Sequence, residues 1–138
     1  MNTSPEFEAI SSQGMWAELD QETKDFLKNY MQETSEKPPV IPKYFYHATP
    51  VSNLSSILEN GLKVHEVFGE IYFCEKEKQT LKFIERPCVV FRLSTRDLNQ
   101  DKIFFSADHK KTKERNFEAY TYYEDIGANK IKAWQVFR

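Results

Sequence analysis

The stretch CVVFRL, Cys88–Leu93, constrains this chain most. It follows a proline and is nearly all apolar. A run this short, rich in β-branched and aromatic residues, reads as a strand covered on both faces, hence as the central strand of a sheet. The rest of the chain must supply its neighbours. Lys43–His47, Gly69–Cys74 and Lys102–Phe105 read as further strands. Phe117–Tyr123 and Lys130–Phe137 read as a closing strand pair around the turn-like Gly127-Ala128-Asn129. On the Phe117–Tyr123 strand, Tyr120 and Tyr122 share a face and Tyr123 takes the other, so one face is expected in the core.

Between the strands lies one clear helix. Thr49 suits an N-cap and Pro50 the first helical position. Val51, Leu54, Ile57 and Leu58 then fall on one face, and Gly61 suits the stop. Glu75–Glu85 predicts a shorter helix with Leu81, Phe83 and Ile84 inward. Strand, helix, strands and a final strand pair make an α+β order rather than an alternating βαβ one.

Upstream, Trp16, Leu19, Phe26, Leu27 and Tyr30 recur at three- and four-residue steps, predicting an amphipathic helix over 15–33. The three prolines of TSEKPPVIP (34–42) end it and favour an extended linker. Two parts follow: an N-terminal helical arm and proline-containing linker over 1–42, and a compact domain over 43–138. The helix either packs on its own domain, docks a partner or covers a cleft; the linker permits each.

The 138 residues are long enough for one domain with a real core, and 40% hydrophobic content with 14% aromatic rules out disorder. A net charge of −2 gives no global pull toward nucleic acid or acidic membranes, though a local patch stays open. The loop DHKKTKERN (108–116) carries four positive and two negative side chains, as a solvated segment or as a grip on an acidic partner or phosphates. Cys74 and Cys88 are too few for a disulfide framework and lack zinc spacing, so no metal is expected. A single bridge between them stays open, but a reduced, intracellular setting is the expectation. No apolar run spans a bilayer and no leader pattern opens the chain, so no membrane is expected.

Three features carry chemistry in chain order: His47-Ala48-Thr49 at a strand end, Gly69-Glu70-Ile71-Tyr72-Phe73 with its strand tyrosine, and Asn116-Phe117-Glu118-Ala119-Tyr120 with a glutamate opening a late strand. Breaking the glycosidic bond of a nucleotide such as NAD builds positive charge on the ribose. Nicotinamide is already a cationic leaving group, so one carboxylate suffices to stabilise that charge. An aromatic ring can stack on the nicotinamide, and a histidine can bond a ribose hydroxyl. Read alone, His47 also fits a satisfied core or turn histidine, and Tyr72 a buried strand aromatic. Glu124, followed by Asp125, reads as a solvated strand end, which favours Glu118. His65 and His109 read as surface residues.

From about Tyr44 to Val136 the sequence resembles the ADP-ribosyltransferase superfamily of the His-Tyr-Glu type, shared by diphtheria toxin and the poly-ADP-ribose polymerases. YHATPVSNLSSILENGL resembles that family's strand, His-small-Thr/Ser, helix and Gly-Leu opening. GEIYFCEKEKQTLKFI resembles its strand tyrosine followed by a helix. FEAYTYYEDIGANKIKAWQV resembles its strand-start glutamate, with Ile126 eight residues on and Ile131 five later. The resemblance implies a split β-sandwich of two small, mostly antiparallel sheets with flanking helices. It implies that His47 bonds a ribose hydroxyl, that the Ala48 backbone holds the carboxamide, and that Thr49 supports the turn. Tyr72 would stack on nicotinamide, and Glu118 would be the catalytic carboxylate. The loop Ser106–Phe117 would meet the acceptor. The family often has glycine where Ala48 stands. Asn116 replaces the Glu or Gln of arginine-modifying members of the Arg-Ser-Glu branch, which argues against arginine as acceptor. The expected activity is mono-ADP-ribosyl transfer from NAD, as co-substrate, to a protein or nucleic acid. The setting would be cytoplasmic, or a host cytoplasm reached by a bacterial or phage toxin or effector. NAD glycohydrolysis and an inactive binding member of the fold are the alternatives.

Overall fold

β3 (Cys88–Ser94) is the middle strand of an antiparallel sheet, between β1 (Tyr44–Pro50) and β6 (Ile131–Phe137). The computed structural model describes residues 19–64, 69–106 and 117–138. Six of the seven β3 residues are buried, and only Arg92 is partly exposed, as an apolar run covered on both faces requires. In register, Phe45 faces Leu93, His47 faces Phe91 and Thr49 faces Val89. Alternation puts these six side chains on one face. Tyr44, Tyr46, Ala48, Val90, Arg92 and Ser94 take the other.

The second sheet has the order β2 (Ile71–Phe73), β5 (Tyr120–Tyr122), β4 (Ile103–Phe105), again antiparallel. The architecture is therefore α+β with two small antiparallel sheets. They share one core: Phe45, Val89, Phe91 and Leu93 from the first meet Ile71, Phe73, Ile103 and Tyr120 from the second. The Phe45 ring lies 5.1 Å from Phe73 and 5.0 Å from Tyr120, centroid to centroid.

The closing strands correct the sequence reading. β5 and β6 do not pair with each other; β5 joins the second sheet and β6 the first. The connection turns through Ile126, which bridges to Leu62, and a short 3-10 turn at Ala128–Lys130. Chain proximity suggested a hairpin, but each strand found its partner elsewhere. Tyr120, Tyr122 and Tyr123 are all buried, because both faces of the second sheet are covered.

The second cover is α1 (Gln21–Thr34). Its N-cap is Asp20, whose carboxylate accepts from the Thr23 N–H at 2.7 Å. The expected helix began at residue 15, and 15–18, with Trp16, lie outside the described residues. The expected apolar stripe does not face inward: Phe26 is 65% and Tyr30 50% exposed, stacked on each other. Met31 is the buried residue, against Phe104 and Tyr123, and the Lys28 stem lies over Gly69. Two faces of this helix can read as apolar, and the Phe104–Tyr123 surface selects the one carrying Met31.

Two helix expectations also shift. β1 runs on through Thr49 and Pro50, so neither opens a helix. A 3-10 turn at Val51–Asn53 precedes α2 (Leu54–Asn60). Thr49 Oγ1 accepts from Asn53 Nδ2 at 2.9 Å instead of capping a backbone N–H. Gly61 does end the helix, at φ +81°. α3 covers only Glu77–Thr80, and Phe83 is 40% exposed rather than inward. Cys74 and Cys88 are both buried, and no disulfide joins them. Among the described residues no helix is long and apolar enough to cross a membrane.

Candidate active site

β1 and β2 meet at a single antiparallel bridge. Tyr46 N–H donates to the Cys74 carbonyl at 2.8 Å, and Cys74 N–H donates to Tyr46 at 3.0 Å. The pairing goes no further, and a cavity of about 330 Å³ opens at this seam. His47, Ala48 and Tyr72 share its wall, with Phe83, Ile84 and Ala119 among the apolar residues. Its size falls within the ~300–1,000 Å³ of small-molecule sites, and an apolar wall with few polar groups is their usual lining.

His47 is held by one hydrogen bond that also sets its chemistry. Its Nδ1 lies 2.8 Å from the Tyr72 carbonyl oxygen. A carbonyl only accepts, so Nδ1 carries the proton and donates. Burial lowers the His47 pKa, partly offset by that bond. The ring is therefore neutral, with Nε2 as an unprotonated acceptor. Such a nitrogen suits a hydroxyl that donates, and not an anion.

Tyr72 alternates away from the core, while Ile71 and Phe73 point into it. Its hydroxyl donates to Glu70 Oε1, in a short contact. Glu70 is only 5% exposed, so a buried carboxylate fixes the far end of the ring. Sequence reading left Glu70 without a role. The signal was available: residues two apart in a strand share a face.

Glu118 precedes Ala119 of the wall in the chain, just before β5, and does not itself line the cavity. Its charge reaches the Tyr120 phenol. Burial first, then Glu75 and Glu118, push that phenol up to about 12. Phe73 faces Tyr120 across β2 and β5. Two carboxylates thus act on one phenol, and a field that disfavours a phenolate favours a cation. No local signal could have found Glu75, because the pairing of β2 with β5 is long-range.

Thr49 is buried behind the wall and does not line it. Glu124 lies at the far end of β5, accepting from Asn99 Nδ2 at 3.0 Å and from the Tyr122 hydroxyl at 3.3 Å. His65, His109, Asn116 and residues 107–116 of the acceptor loop lie outside the described residues. Among the described residues no cluster of His, Cys, Asp and Glu has the makings of a metal site. No protein-family model matches the chain, and no curated protein matches it.

Proposed function

We propose that this chain is a mono-ADP-ribosyltransferase that binds NAD at the β1–β2 seam and transfers ADP-ribose to a macromolecular acceptor. The observation that carries the reading is the 2.8 Å contact of His47 Nδ1 with the Tyr72 carbonyl, which pins the ring in the cavity wall and leaves Nε2 as an acceptor for a ribose hydroxyl. Three further features support it. Tyr72 presents a ring braced by Glu70 to a planar nicotinamide. Ala48 puts a small side chain in the cavity wall, where backbone can approach a ligand. Glu118, whose charge with that of Glu75 acts on Tyr120 near the seam, would supply the negative charge that steadies the ribose as nicotinamide departs. The resemblance of the three sequence segments to the His-Tyr-Glu transferases points the same way. Two small antiparallel sheets with flanking helices are compatible with the split β-sandwich of that family.

The test is labelled NAD incubated with the protein and a cell lysate, beside Glu118→Gln. Label should pass to protein or nucleic acid and fall by at least about 100-fold in the variant, as removal of a transition-state charge contact does. Free nicotinamide without a labelled acceptor would reassign the chain to hydrolysis. Neither product, with NAD still bound, would remove both enzymatic readings. NAD affinity should fall more in His47→Ala than in Glu118→Gln. Unchanged affinity in His47→Ala would take His47 out of the site.

A further inference from the structure

The outer face of the first sheet, away from the shared core, carries a groove of about 510 Å³. Its charged residues are Lys43, Arg92, Arg96, Lys132 and a single carboxylate, Asp97. Asp97 is already paired with Lys132 at 3.2 Å. Among the described residues no carboxylate lies within ion-pair distance of Lys43, Arg92 or Arg96. Three uncompensated cations in one concavity are notable on a chain whose net charge is −2. A merely solvated sheet face would intersperse the two signs.

Aromatic rings alternate with these cations. The Arg92 guanidinium lies over the Tyr44 ring at 4.9 Å, and Lys43 Nζ lies 5.4 Å from the same ring. Arg92 Nε is buried and has no hydrogen-bond partner among the described residues. A second hollow of about 200 Å³ shares Arg92 with the groove and adds Tyr46, with one carboxylate, Glu77, in its lining. Trp134 pairs with Phe91, so its half-exposed indole belongs to the opposite face of the sheet. Tyr46 also lines the β1–β2 cavity, so one residue is shared between groove and hollow and one between hollow and cavity, which sets out a track along this face.

We propose that this track binds single-stranded nucleic acid. Phosphates would sit on Lys43, Arg92 and Arg96, and unpaired bases would stack on Tyr46 and Tyr44, the combination used by single-strand binding surfaces. A duplex hides its base faces and could use only the cations. An acidic peptide would use the cations and leave the rings idle. As a binding site the track stands on its own geometry. As the place where the acceptor of the proposed transfer lies, it rests on that reading.

Fluorescence anisotropy with a labelled oligothymidylate of about 12 nucleotides tests the inference. Binding should weaken about 15- to 20-fold between 50 and 200 mM salt, since three neutralised phosphates give a slope near −2. Lys43→Glu and Arg96→Glu are exposed and distant from the core, and each should weaken binding at least about fivefold. Tyr46→Ala should lower affinity and leave the salt slope unchanged, whereas Trp134→Ala, on the opposite face, should bind as wild type does. No binding at low salt, no loss in the two charge variants, equal binding of the matched duplex, or equal competition by polyglutamate would each overturn the proposal. NAD turnover is read in the same samples. Loss of oligonucleotide binding in Arg96→Glu with nicotinamide release intact supports the track and leaves the cavity reading untouched. Label transfer by a wild type that binds no oligonucleotide sinks the track alone. Oligonucleotide binding without NAD turnover sinks the transferase reading alone.

Discussion

Replacing Gly61 with alanine should unfold this domain at a markedly lower temperature. Gly61 sits at φ +81° and ψ −172°, a region reserved for glycine, where a side chain costs about 1–3 kcal/mol. A Cβ there would lie 2.1 Å from the Ile126 carbonyl oxygen and 2.9 Å from the Ala128 nitrogen, both backbone atoms. The Ile126 carbonyl must move, and it accepts the Leu62 N–H at 2.9 Å. Losing that bond adds about 1 kcal/mol. The sum is about 2–4 kcal/mol. Unfolding entropy of about 2.1 cal/mol/K per residue gives roughly 0.29 kcal/mol/K over 138 residues, so Tm should fall by about 7–14 °C. Circular dichroism melting reads this directly. Gly127→Ala is the control. Gly127 has φ −62°, and its Cβ would meet only the end of the Asn129 side chain. Its cost should stay within about 0.5 kcal/mol. A Gly61→Ala shift no larger than that of Gly127→Ala would refute the backbone-contact reasoning.

The lowered pKa of His47 has a definite sign for stability. Below about pH 6.5 the unfolded chain takes up a proton that the buried ring resists, so stability is full above that pH and falls as pH drops through the lower folded value. Urea midpoints of wild type should decline more steeply than those of His47→Asn between about pH 7 and pH 5; parallel declines would show that the ring does not carry the effect. Met31→Ala should cost about 2–4 kcal/mol, because Met31 is the buried anchor of α1 against Phe104 and Tyr123. Amides of α1 should then exchange faster while those of β3 change least, and uniform loss of protection would contradict a locally docked arm. Phe26→Ala, at an exposed position, should change stability by less than about 0.5 kcal/mol.

Several features were legible locally. CVVFRL demanded a central strand, and β3 is one, because an apolar run can satisfy both faces only between two neighbours. The six strands lie close to where alternation and turn residues put them. Gly61 was readable as a stop, because glycine enters positive-φ backbone without the steric cost that other residues meet. His47, Tyr72 and Glu118 could be singled out as types suited to one chemistry.

Tertiary pairing decided the rest. Whether β5 and β6 make a hairpin depends on which strand edges are free, and that is set by residues more than 20 positions away in β2 and β3. The face α1 buries depends on Phe104 and Tyr123, not on its own periodicity. The tautomer of His47 depends on a carbonyl 25 residues distant, and the charge around Glu118 on a Glu75 brought alongside by another strand. Strand propensity and steric limits act between neighbours in the chain, so they can be read in order. Hydrogen-bond partners, burial and electric field act between neighbours in space, and only the packed sheets specify those.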